Sequence, residues 1–135
     1  MINLIINLLL LLLIGFIIGY ERQVHHKVIG IRSTSLVLLG AFVFTYISTL
    51  VGGDPARIIA QVSTAIGFVG GGIIFKNGIQ DIKNLTTAIL VWVLSAIGCL
   101  LALGFRLEAL LISAIVMILL RSYGLKLNKR KNENK

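Results

Sequence analysis

Five runs of apolar residues, each close to the length of a bilayer crossing, occupy most of the chain: Ile2 to Tyr20, Ser33 to Val51, Ala56 to Phe75, Leu85 to Leu103 and Leu107 to Tyr123. A helix at the surface of a water-soluble core needs one apolar face, whereas these segments are apolar all round. Crossing the hydrocarbon takes roughly 20 residues at about 1.5 Å each. The pattern therefore predicts an all-α polytopic membrane protein of five transmembrane helices. One membrane domain covers residues 1–123, and residues 124–135 form a basic tail too polar and too short to fold alone. The connections are short, and none could house a soluble domain.

Helix ends are legible too. Asp54 followed by Pro55 predicts an N-cap with proline at the first helical position. Asn84 before Leu85 predicts the start of the fourth helix in the same way. The turn of Gly104, Phe105 and Arg106 makes the last two helices antiparallel neighbours. An echo runs at an offset of 52 residues: Ile14-Gly15-Phe16 with Gly19 recurs as Ile66-Gly67-Phe68 with Gly71, and Thr34 recurs as Thr86. Either this is coincidence in a chain rich in Ile, Leu and Gly, or two helix pairs are related by an axis along the membrane normal.

Composition agrees with the pattern. Of 135 residues 57% are hydrophobic and 13% charged, with a mean hydropathy of +0.98, against about a quarter charged in soluble domains. The net charge of +8 raises nucleic acid as a partner, but its placement argues otherwise. Arg121, Lys126, Lys129, Arg130, Lys131 and Lys135 follow the last apolar run, where they act as a topology signal and contact anionic membrane lipids. No aromatic interleaving or binding motif accompanies them, so no nucleic-acid role is expected. With the N-terminus outside, those six join Arg22, Lys27, Arg32, Lys76 and Lys83 on the cytoplasmic side, leaving Arg57 and Arg106 outside. That asymmetry predicts an external N-terminus and a cytoplasmic C-terminus. The first apolar run lacks a basic leader region and a small-residue cleavage site, so it is expected to be a retained helix. Cys99 has no partner in the chain and is expected to be a small packing residue.

The third segment carries the most informative polar pattern. Asp54, Arg57, Gln61, Thr64, Phe68 and Gly71 step by three and four residues and form one helix stripe. Such a stripe is expensive against acyl chains, so it is expected to face protein or a wet cavity. Two readings stay open. Either it is a polar entry site, with Asn3, Asn7, Thr45, Ser48 and Thr49 at matching depth, or Asp54 caps, Arg57 snorkels and Gln61 ties helices together. Gly15, Gly19, Gly67, Gly70, Gly71 and Gly72 are expected to let helices approach closely. The three consecutive glycines could instead break the helix and expose carbonyls. On the inner side, Arg32, Ser33 and Thr34 stand at a helix N-terminus, read either as an anion-friendly spot or as ordinary capping. His25 and His26 are weak metal candidates without nearby acidic or thiol ligands. Trp92 lies well inside the fourth segment and is expected to pack internally. No phosphate-binding loop, zinc-protease motif or nucleophile elbow occurs, so neither catalysis nor a cofactor is expected.

Taken together, certain residues match a known pattern. They are Gly15-x-x-x-Gly19-x-Glu21-Arg22-Gln23, Gly30-Ile-Arg-Ser-Thr-Ser-Leu-Val with Leu39-Gly40-Ala41, Asp54-Pro-x-Arg57-Ile-x-Ala-Gln61-Val, Ile66-Gly-Phe-Val-Gly-Gly-Gly, and Leu85-Thr-Thr-Ala with Trp92 and Ala96-Ile-Gly98. In this the chain resembles the MgtC/SapB family of bacterial inner-membrane proteins. The resemblance implies a plasma-membrane protein linked to magnesium limitation and, in pathogens, to survival inside host cells, sometimes by restraining the F-type ATP synthase. It points to Glu21, Arg22, Arg32, Asp54, Arg57, Gln61, Gly67, Gly71, Thr86, Thr87 and Trp92 as the family's important positions. Longer virulence-associated members carry a soluble C-terminal domain that these residues lack, so functions tied to that domain are not carried over. Asn84 and Ser35 depart from the family pattern, where glycine and a larger side chain are usual. The expectation is a modulator of ion and proton-motive balance that contacts another membrane complex, or alternatively a small cation transporter with its polar site on the third helix. Glycine-rich faces favour a homo-oligomer, with a dimer foremost.

Overall fold

In the computed structural model, which describes residues 1–74 and 84–133, the apolar runs become helices α1 (Ile2–Val24), α2 (Ile31–Leu50), α3 (Pro55–Ile74), α4 (Leu85–Ala102) and α5 (Arg106–Glu133). Among the described residues, α1 to α4 are each long and apolar enough to cross a membrane. Helix α5 starts where the sequence predicts a fifth crossing, but its backbone continues past Tyr123 into the segment expected to be a separate tail. Phe75, Lys76, Lys83 and Lys135 lie outside the described residues.

Three helices stop in the same way. At the end of α4, Gly104 takes a φ of +88°, Phe105 N–H donates to the Leu100 carbonyl and Gly104 N–H to that of Leu101. This is the Schellman arrangement, which satisfies carbonyls that would otherwise be orphaned. At the end of α2, Gly52 has φ +66° and Gly53 N–H bonds the Ser48 carbonyl at 2.9 Å. At the end of α1 the left-handed position is occupied by His26, φ +51°, with Lys27 N–H bonded to the Arg22 carbonyl at 3.0 Å. Of the two predicted N-caps, Asp54 behaves as expected: its Oδ1 accepts from Ala56 N–H at 3.0 Å, and Pro55 is the first residue of α3. Asn84 precedes α4 without a side-chain cap bond and sits at φ +64°. That conformation suits asparagine, which is among the few side chains that visit the left-handed region.

Helices α2 and α4 cross at the centre, with α1 against α2, α3 against α4, and α5 against α4 and α1. Helix α3 also touches α2. The core is Leu11, Ile14 and Ile18 of α1, Leu38 and Phe42 of α2, and Leu90, Leu94, Ile97 and Leu101 of α4. Close approach depends on three glycines. A Cβ at Gly98 would overlap the Leu38 carbonyl oxygen, one at Gly15 would lie 2.5 Å from Ser35 Oγ, and one at Gly19 2.5 Å from Ile31 Cα. The small Ser35 is thus matched to Gly15 across the α1–α2 contact. Buried hydroxyls turn to local acceptors, as an apolar surround requires: Thr34 Oγ1 donates to the Gly30 carbonyl at 2.9 Å, Ser113 Oγ to that of Ala109 at 2.7 Å, and Thr45 Oγ1 to Cys99 Sγ at 3.3 Å.

Candidate functional site

Helix α3 does not turn its polar stripe into its own bundle. Its packing side is Ile59, Val62, Ser63, Ile66, Gly70 and Ile73, all half-buried except the buried Gly70, and Ile66 and Ile73 meet the core. The polar stripe lies on the opposite side. Asp54, Arg57, Gln61, Thr64 and Phe68 are exposed on the single chain, Phe68 to 88%. The reason is the choice of face: the β-branched side chains around Ile66 offer the more apolar surface to α4, and one helix cannot bury both sides against it. Gly67 and Gly72 are exposed and Gly71 is half-buried. Among the described residues a Cβ at any of them would meet nothing within 4 Å, so they serve no packing there. Gly70 does, lying against Ala88 at ordinary contact distance. The three glycines leave the helix unbroken to Ile74.

The partners expected at matching depth separate. Ser48 joins Asp54 and Arg57 in lining a shallow, mainly apolar cavity of about 350 Å³ with Phe44, Ile47 and Ile58. Thr45 is buried against Cys99, and Thr49 Oγ1 bonds the Tyr46 carbonyl.

Asn3 and Asn7 belong to a different cluster, one that sequence reasoning missed. Asn7 is 7% exposed and its Nδ2 donates to the Leu101 carbonyl at 2.9 Å. That bond turns Oδ1 toward Arg106, whose Nε donates to it at 2.6 Å. Arg106 Nη2 donates to Asn3 Oδ1 at 3.1 Å and to the Asn3 carbonyl at 3.3 Å. The start of α1 is thereby tied to the α4–α5 turn. The available signal was Asn3 and Asn7 at helical i, i+4 spacing, but Arg106 counted in the sequence only as an outer charge.

At the other end of α1, Glu21 and Arg22 form a buried ion pair, with side chains 9% and 6% exposed. Arg22 Nε donates to Glu21 Oε2 at 2.6 Å and Nη2 to Oε1 at 3.1 Å. His25 Nε2 is 3.5 Å from Glu21 Oε1. Arg32 is exposed and shares no hydrogen bond or ion pair with this group among the described residues, whereas Thr34 is fully buried. Because the Thr34 hydroxyl is spent on the Gly30 carbonyl, ordinary helix-end bonding accounts for it better than an anion site. Thr87 is buried and Thr86 exposed. Trp92, expected inside, is 54% exposed. Its Nε1 donates to Ser63 Oγ at 3.1 Å, which fastens α4 to α3 while the ring stays at the surface. Among the described residues no group of three or more metal-ligating side chains occurs.

Residues 8–126 match the MgtC family. Protein MgtC of Brucella abortus is 45% identical over 94 residues, covering 68% of this chain and 39% of that protein. Protein MgtC of Salmonella typhimurium is 39% identical over 129 residues, covering 93% of this chain and 55% of that protein. The chain thus spans about half the length, or less, of these curated relatives. No solved structure is significantly similar to it. With the aligned segment extending from the first helix through the α4–α5 turn, the chain belongs to the MgtC family.

Proposed function

We propose that this chain is a plasma-membrane modulator that contributes to magnesium homeostasis as a homodimer and acts on other membrane proteins by contact. Its supports are membership of the MgtC family, which implies a role in magnesium homeostasis or virulence, and one structural observation: the polar stripe of α3 points away from its own bundle. Arg57, Gln61 and Thr64 against acyl chains would be costly. A second helix at this face removes the cost, and Ala60, Gly67 and Gly71 give it room for close approach. The occupant we favour is a second copy. Asp54 and Arg57 lie about 4.5 Å apart along the axis, so in a parallel two-fold pair each acid can reach the other chain's base. In this reading the chain crosses the membrane five times, with its N-terminus outside and its C-terminus in the cytoplasm, as the basic residues indicate. The resemblance suggests the F-type ATP synthase as one complex the dimer could restrain.

Disulfide trapping in native membranes tests the proposal. Gln61→Cys, in a chain also carrying Cys99→Ser, is expected to give a species of twice the chain mass. Absence of that species, with a positive control at another exposed position working, refutes the dimer. The transporter alternative needs a path lined by the stripe. Flux of magnesium, potassium or protons through the purified protein in liposomes would favour it over the modulator.

A further inference from the structure

We infer that the cavity around Arg106 binds a phosphate-class oxyanion. The cavity has a volume of about 410 Å³ and is lined by Asn3, Asn7, Tyr46, Gly104 and Arg106. It opens at the end of the bundle that holds the start of α1, about 27 Å along the helix from Glu21. A guanidinium is charged at any biological pH and carries five N–H donors. Here it is gripped by three neutral oxygens, one from Asn7 and two from Asn3. Among the described residues no carboxylate lies within ion-pair distance of it, the only ion pairs being those of Glu21. Its Nη1 donates to no described residue.

The contrast with the other end of α1 is instructive. There the buried Arg22 is neutralised by Glu21. At Arg106 the charge is oriented with equal care and left without an opposite charge. Asn7, itself locked by the Leu101 carbonyl, fixes the plane of the fork before any ligand arrives. Tyr46 lines the same cavity wall. A planar fork suits the paired oxygens of a phosphate group better than a spherical halide. That phosphate can belong to a phospholipid headgroup or be free in the aqueous phase.

Thermal unfolding of the full chain in a non-ionic detergent separates these sources. It is followed with inorganic phosphate, with a short-chain phosphatidylglycerol, and with the corresponding diacylglycerol that lacks the phosphate. One or both phosphate compounds are expected to raise the melting temperature, and the diacylglycerol is not. A shift from the lipid alone assigns a headgroup, and a shift from inorganic phosphate assigns a soluble anion. Asn3→Asp places a carboxylate on the fork. It is expected to fold with wild-type stability or better and to weaken phosphate binding by about tenfold or more, the range expected for losing one charge-assisted contact. Arg106→Gln should lose the shift as well. The inference is overturned if neither phosphate compound stabilises the wild-type chain, or if Asn3→Asp responds as strongly as wild type, which would mark a general salt effect.

Discussion

Alanine at Gly98 and alanine at Gly67 are the same chemical change, and the structure assigns them opposite signs. At Gly98 the added Cβ would overlap the Leu38 carbonyl oxygen and lie 3.1 Å from Ala41 Cβ and 3.2 Å from Phe42 N. Two of those three atoms are backbone, so no side-chain rotation relieves the contact and α2 must move away from α4. Overpacking of this kind costs about 1–3 kcal/mol, and the upper end applies because the obstacle is a carbonyl in the central helix crossing. Replacing glycine in a helix returns about 0.5–1 kcal/mol, which leaves a net loss of about 2 kcal/mol. At Gly67 nothing described in the same chain lies within 4 Å, so within a single chain only the gain of about 0.5–1 kcal/mol remains. The two variants should therefore differ by about 3 kcal/mol. Reversible unfolding in mixed detergent and dodecyl sulfate micelles, followed by far-UV circular dichroism, measures the difference. Equal stabilities, or a Gly98→Ala chain more stable than Gly67→Ala, would refute the assignment of the tight crossing to Gly98.

Three further outcomes are expected. His26→Gly removes a side chain from the left-handed position at φ +51°, relieving about 1–2 kcal/mol against about 0.5–1 kcal/mol of glycine entropy, and should stabilise the chain by the difference, about 0.5–1 kcal/mol, read by the same unfolding titration. Glu21→Gln leaves the buried Arg22 guanidinium without its counter-charge and should destabilise by about 3 kcal/mol, while the double variant Glu21→Gln, Arg22→Met recovers most of that loss. Cys99 is buried against Thr45, so a maleimide should label the folded chain slowly and the dodecyl sulfate-unfolded chain fully; rapid labelling of the folded form would contradict the placement.

The five helices and most of their boundaries follow from local information. Apolar length fixes a membrane helix, because an unpaired backbone cannot lie in hydrocarbon, and Asp54-Pro55 and Gly104 act through bonds to residues a few positions away. The pairing of α4 with α5 is equally local, since a three-residue turn keeps the two helices side by side, whereas the contact of α5 with α1 is not. Which side of each helix meets which neighbour is another matter. Periodicity shows that Arg57, Gln61 and Thr64 share a face, but it cannot say whether that face or the one bearing Ile66 docks on α4, because both choices respect the same spacing. Nor could it separate Gly15 and Gly19, which are in contact, from Gly67 and Gly71, which share their pattern and touch nothing. Trp92 is the same case on α4. Arg106 lies 99 residues from Asn7, a contact that no helical repeat encodes. Its partners were set only when α4 brought the Leu101 carbonyl alongside α1. Secondary structure here is a property of segments against lipid, whereas the sites are properties of the crossings between helices, and those are decided by which backbones can come closest.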